Sequence, residues 1–152
     1  MHVYRITTTR YSRDLSGTGA RLHGGRWNPQ GISVVYTAES RALATVEYLV
    51  HVPLSLVPRD LSLVTLHIPD GIPWKTMVIA DLPANWRDYP APPALADLGA
   101  QWATAQNTLL LRVPSAVVAQ EYNVLLNPLH PGMPQVTIAH VEPYQFDARL
   151  LR

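Results

Sequence analysis

Four places in this chain carry side chains able to do chemistry, and the most unusual is a carboxylate inside an apolar run. In Ala44-Thr-Val-Glu47-Tyr-Leu-Val-His51 the glutamate is flanked by residues that recur at helical spacing. On a helix Glu47 lies one turn from both Leu43 and Val50, at the margin of the apolar stripe. A carboxylate there must find a partner or border a cavity, because an isolated buried charge is expensive. Glu47 and His51 are also four apart, a spacing that permits a shared metal. The six histidines form no HExxH-type pair, however, so no metal centre is expected.

The second place is the glycine-rich stretch Leu15–Gly31, which holds five of the eight glycines and reaches Arg26, Trp27 and Asn28. Glycines let a backbone approach a ligand closely and turn amides toward phosphate. The Gly-Lys-Ser/Thr ending of a P-loop is absent, and no helix pattern follows as in a dinucleotide fingerprint. The third is Tyr36, near the end of a strand-like run, where its ring could stack on a heterocycle. Read alone it is equally a cross-strand packing residue. The fourth is Val113-Pro-Ser115 followed by Tyr-Asn123 and Asn127-Pro-Leu-His130-Pro. Ser115 lacks the Gly-x-Ser-x-Gly setting of a nucleophile elbow, so its hydroxyl is expected to hydrogen-bond in a pocket rather than attack.

These residues need elements to hold them. Runs rich in Val, Ile, Leu, Thr and Tyr predict strands over Val3–Thr7, Ile32–Ala38, Leu61–Pro69, Lys75–Ala80, Thr108–Val118, Val124–Leu126 and Val136–Val141. Fourteen prolines punctuate them. Two helices are predicted. One is Arg41–Val52, capped by Ser40 and stopped by Pro53. The other is about Pro93–Gln106, with Gly99 counting against it. Asp81–Pro93 reads as a loop packed by aromatics. Strands outnumber helices without alternating with them, which favours an α+β domain spanning residues 1–152.

Composition narrows the function classes. The chain has 152 residues, 47% hydrophobic and only 15% charged, where about 25% charged is usual. That excludes a disordered chain and suggests a surface partly covered by a partner. No run approaches the roughly 18 apolar residues of a membrane span, and no signal peptide is visible, so a cytoplasmic protein is expected. Without cysteine there are no disulfides, thiolate zinc sites or cysteine nucleophiles. The net charge of +1 is too small for a general nucleic-acid binder. The distribution is uneven: residues 1–41 hold six arginines against Asp14 and Glu39, whereas the other 111 residues hold six bases and nine acids. Arginine's planar fork suits a small anionic ligand.

Read in order, the segments resemble the RES-domain family of bacterial toxins, partners of Xre-type antitoxins. The likeness runs through Tyr4-Arg5, Gly17-Thr-Gly-Ala, Gly24-Gly-Arg-Trp-Asn, Val35-Tyr-Thr-Ala-Glu-Ser, the Glu47 helix, Leu82-Pro-Ala-Asn-Trp, Val113-Pro-Ser and Asn123-x-Leu-Leu-Asn-Pro-x-His-Pro. The family's arginine, glutamate and serine correspond to Arg26, Glu47 and Ser115, with Tyr36 as the usual fourth member. The resemblance implies a compact ADP-ribosyltransferase-like α+β fold with mixed β-sheets. NAD+ is then a substrate rather than a cofactor, cleaved at its nicotinamide–ribose bond, with ADP-ribose passing to water, phosphate or a protein side chain. It assigns catalysis to Glu47, Arg26 and Tyr36, and substrate contacts to Arg26, Tyr36, Ser115, Trp27, Asn28 and Asn123. It also implies a helix-turn-helix antitoxin as partner, through which an oligomer could assemble, with no direct contact to nucleic acid or membrane. Two other readings use the same residues: a non-catalytic nucleotide-binding or interaction module, and an RNA-directed toxin.

Overall fold

Seven strands, β1 (His2–Thr8), β2 (Val35–Ala38), β3 (Leu61–His67), β4 (Trp74–Thr76), β5 (Leu110–Pro114), β6 (Tyr122–Leu126) and β7 (Thr137–Tyr144), form a single sheet in the order β4-β5-β6-β2-β1-β3-β7. This computed structural model describes residues 1–152. Every pairing is antiparallel except β4 with β5. Three helices accompany the sheet: α1 (Thr18–His23), α2 (Arg41–His51) and α3 (Pro93–Ala105). The α+β class and each predicted strand are present. No helix is long and apolar enough to cross a membrane.

Alternation along the strands divides the core in two. Leu110 and Leu126 face one another across β5 and β6 and join a cluster with Val3, Val64 and Leu66. Their neighbours Leu111 and Leu125, also paired, turn to the other face and pack with Trp27, Leu95 and Trp102. The second cluster is the one on which α3 and the glycine-rich segment rest.

Both predicted helices form. Ser40 caps α2 by accepting from the Leu43 amide at 3.0 Å. Pro53 forces Val52 into extended backbone (φ −121°, ψ 123°), so the helix stops at His51. In α3, Gly99 is a requirement rather than a weakness, since a Cβ at that position would lie 1.6 Å from the Trp27 carbonyl oxygen. The glycine lets the helix settle directly on the Trp27 backbone.

The sequence pattern overextends some strands and overlooks one helix. Residues 32–34 precede β2 without joining the ladder, and Ile79–Asp81 is a 3-10 turn rather than the end of β4. Within Thr108–Val118 pairing ends at Pro114, because Ser115 begins a turn. The glycine-rich segment contains α1, six residues with Gly19 inside them. Glycine masks that helix in any propensity reading.

Candidate functional site

The first corner of the site is built on Glu47. Its helix buries Leu43 and Ala44 against the end of β2, so Glu47, one turn further on, points along the same stripe. There it meets two residues brought from far along the chain. Ser115 follows the last residue of β5, and Asn123 lies on β6 opposite Ala38 of β2 and Val113 of β5. Glu47 Oε1 accepts a hydrogen bond from Ser115 Oγ at 2.7 Å and another from Asn123 Nδ2 at 2.7 Å. These are the carboxylate's two protein hydrogen bonds, and both fall on the same oxygen. Oε2 is left to accept from something else.

The direction of the Ser115 bond follows from its other contacts. Its Oγ accepts from the amides of Val117 at 3.1 Å and Val118 at 3.0 Å. With both lone pairs engaged, the hydroxyl proton has one place to go, the Glu47 carboxylate. Ser115 is only 1% exposed. Its hydroxyl is thus turned to Glu47, and the role the structure shows for it is to orient that carboxylate. Asn123 is half-buried and acts in the same way.

The second corner is the turn that carries Arg26. Gly25 and Asn28 bond to each other through their backbones, closing a tight loop. A Cβ on Gly25 would lie 2.8 Å from the Tyr36 hydroxyl and 2.9 Å from Asn28 Oδ1, so the glycine is needed where those two groups meet. The Tyr36 hydroxyl donates to Asn28 Oδ1 at 2.7 Å and accepts from the Trp27 amide at 3.1 Å. Asn28 Nδ2 in turn donates to the carbonyls of Ala20, Pro29 and Ile32. Trp27 and Asn28 are 2% and 1% exposed. They fix the turn from within. Burial pushes the Tyr36 phenol well above its ordinary value, so it stays protonated at neutral pH.

Arg26 donates from Nη1 to the Trp86 carbonyl at 2.7 Å and from Nη2 to the Asp88 carbonyl at 3.1 Å. It thus ties the glycine-rich turn to the aromatic loop that precedes α3. Trp86 itself is buried beside Trp27 and Trp102. Three of the guanidinium's five N–H groups remain uncommitted. Partial burial lowers the Arg26 pKa, while the charge of Glu47 acts first among the neighbours, with Tyr36 and Asp88, to raise it. The two corners are therefore within electrostatic reach of one another.

A cleft of about 450 Å³ is lined by Tyr36, Val34 and Val35, by Arg5, Ile6 and Thr7, and by residues of α1; of the candidate residues Tyr36 alone lines it, and Glu47 and Arg26 do not. That volume suits a small organic ligand. A second cleft of about 420 Å³, around Ile68–Trp74, contains none of the candidate residues. Arg5 did not stand out as chemistry in the sequence. The available signal is its phase: it follows Val3 by two residues, and so takes an inward position of its strand. The Asn127–Pro131 motif is a turn, with Asn127 bonded to the Ala103 carbonyl and the Leu129 amide, and His130 Nδ1 accepting from the Gly132 amide.

Comparisons with known proteins show the family and the fold. A family model described as the RES domain matches residues 2–147. The chain is 40% identical to a Sphingobium sp. (strain YBL2) protein named Prs ADP-ribosylating toxin, over 98% of this chain and 96% of the relative. It is 39% identical to Toxin Res of Yersinia enterocolitica, over 99% of both chains. A solved chain from the M. tuberculosis MbcT–MbcA toxin–antitoxin complex shares the fold at TM-score 0.76 and 20% identity, covering 99% of this chain and 86% of that one.

Proposed function

This chain belongs to the RES-domain family, and from that membership and the Glu47 corner we propose that it is a toxin which cleaves the nicotinamide–ribose bond of NAD+. The observation that carries the reading is the placement of Glu47: a carboxyl group on a helix, held by Ser115 and Asn123 through one oxygen, with no protein hydrogen bond to the other.

Breaking an N-glycosidic bond develops positive charge on the ribose ring, as in glycoside hydrolysis. A fixed carboxylate stabilises that cation more than the neutral sugar, so its contribution falls on the transition state. Glu47 Oε2 accepts from the nicotinamide ribose hydroxyls and holds the charge beside C1′. The C1′–N bond breaks with its electron pair going to the ring, and nicotinamide leaves neutral. An acceptor oxygen or nitrogen then bonds to C1′ and gives up its proton. Nicotinamide needs no strong acid to leave, so no catalytic histidine is required. The Tyr36 ring stacks against nicotinamide at the cleft wall, and the free N–H groups of Arg26 face the ribose side.

The acceptor is water, phosphate or a protein side chain. The name of the Sphingobium relative favours ADP-ribosyl transfer to a protein. The protein acts in the cytoplasm and is held inactive by a helix-turn-helix antitoxin of the Xre type. A toxin–antitoxin complex among its structural neighbours and its low charge are consistent with a covered face.

The test is Glu47→Gln. Glutamine can accept from Ser115 and Asn123 as glutamate does, so the fold survives while the charge is lost. Nicotinamide release should fall by about 10²–10³-fold, the usual cost of removing one preorganised stabiliser. Full turnover in this variant contradicts the assignment.

A further inference from the structure

Glu47, Ser115 and Asn123 sit on or beside three different elements, so their meeting depends on how α2, β5 and β6 are set against one another. One side chain ties those elements together. Arg112 is on β5, three residues before Ser115. Its guanidinium lies over the ring of Tyr122, 3.7 Å from the centroid, and Tyr122 immediately precedes Asn123 on β6. Arg112 Nε also donates to Glu39 Oε1, and Nη2 more loosely, at 3.5 Å, to Oε2. Glu39 immediately precedes Ser40, whose side chain caps the helix that carries Glu47.

Strand register explains why the three meet. Arg112 pairs with Val124 and Pro114 with Tyr122, which makes Arg112 and Tyr122 diagonal neighbours on one face of the sheet. The ladder between β2 and β6 runs to Ala38 opposite Asn123, and the Glu39 amide then donates to the Tyr122 carbonyl at 3.4 Å. Arg112 thus crosses the ring of the middle strand to reach a carboxylate at the end of the next. Asn123 follows Tyr122 and so points to the opposite face. Arg112 stands behind the site and makes no hydrogen bond to Glu47, Ser115 or Asn123.

No other arginine is held in this way. Arg41 and Arg149 are ion-paired without stacking, and Arg10 and Arg87 stack without an ion pair. A half-exposed ion pair fixes little by itself. Stacking on a ring anchored in the sheet, together with the planar fork on Glu39, gives this guanidinium a defined orientation.

We propose that Arg112 is a positioning residue: it clamps the approach to α2 and the start of β6 onto β5, and so sets the hydrogen bonds that Ser115 and Asn123 donate to Glu47. Its effect on turnover rests on the NAD+ reading above, whereas its effect on the Asn123 bond does not.

The experiment compares wild type with Arg112→Met, Arg112→Lys and Glu39→Gln in the full chain, at a temperature where each is folded. Two quantities are read. One is kcat and KM from nicotinamide release. The other is the pair of NMR signals of the Asn123 side-chain amide, assigned by their absence from Asn123→Ala, which report its bond to Glu47 without substrate. Arg112→Met should lower kcat about 10-fold, less than the order of 10²-fold that a full 1 Å displacement costs, with KM little changed. The Asn123 signals should move toward the position of a solvent-exposed asparagine. Arg112→Lys and Glu39→Gln should shift both quantities the same way by smaller amounts. Wild-type kcat in folded Arg112→Met overturns the inference. So does a loss of kcat with the Asn123 signals unmoved, because the effect would then bypass that contact. If Arg112→Met does not fold, Arg112→Lys and Glu39→Gln carry the test by the same criteria. Wild-type protein that releases no nicotinamide contradicts the cleavage reading; the Asn123 signals then decide the clamp alone, and their failure to move overturns it.

Discussion

Replacing Ser115 with alanine separates a positioning role from a chemical one. The substitution removes the donor to Glu47 at 2.7 Å and the acceptor for the Val117 and Val118 amides. The bond to the carboxylate is worth about 1.5–3 kcal/mol and each amide bond about 1 kcal/mol. The turn is partly exposed, so water recovers part of the amide loss, and a net destabilisation of about 2–4 kcal/mol is expected. For a domain of this length that lowers the melting temperature by roughly 5–15 °C. Glu47 keeps its bond from Asn123 but loses one of two restraints. A displacement of about 1 Å at a catalytic group costs on the order of 10²-fold. The assay is nicotinamide release at saturating NAD+ at a temperature where calorimetry shows the variant folded. A kcat reduced roughly 10–100-fold, with KM changed less, fits a residue acting through Glu47. Wild-type kcat with the expected melting shift would reduce Ser115 to a turn residue. Complete loss of turnover in a folded variant would mean that the hydroxyl takes part in the chemistry, refuting the lone-pair argument.

Other consequences can be checked singly. Gly99→Ala drives a methyl group to within 1.6 Å of the Trp27 carbonyl, and should cost about 3 kcal/mol or more in a urea unfolding midpoint. Tyr36→Phe strips the Trp27 amide and Asn28 Oδ1 of their partner and should destabilise by about 1–3 kcal/mol by the same measure. At high pH the wild type should lose stability above the ordinary tyrosine value of 10.0, because the unfolded chain releases the Tyr36 proton before the folded one does. An absorbance titration should show that phenol ionising only with unfolding, a component missing from Tyr36→Phe. At low pH the sign reverses. Asp14, held below its usual range chiefly by hydrogen bonds from Ser16, and Glu142, held down by Arg41, favour the folded state when ionised. Stability should therefore decline as pH falls from about 5 toward 3, and Glu142→Gln should flatten that decline in pH-dependent thermal melts.

What could be read from the sequence was what depends on local pattern. Ser40 and Pro53 bound α2 because capping and the constraint on a residue before proline are short-range effects. Glu47 stood out for the same reason: a carboxylate in an apolar helical stripe needs an account wherever the helix packs. The partners it needed, Ser115 and Asn123, were visible as unusual residues, but their convergence on a single carboxylate oxygen depends on β5–β6–β2 register, which is non-local. The burial of Trp27 and Asn28 was not legible either. A Gly-Gly-Arg-Trp-Asn string looks like an exposed binding loop until α3, through Gly99, closes over the Trp27 backbone.

A crystal structure of the Glu47→Gln variant with NAD+ tests the central claim most directly, since the slowed variant should retain uncleaved dinucleotide. The expected result is a nicotinamide ribose whose hydroxyls lie within about 3.2 Å of the free side-chain atom at position 47, with Ser115 and Asn123 still bonded to the other. A ribose bound elsewhere, with position 47 facing only water or protein, would contradict the account.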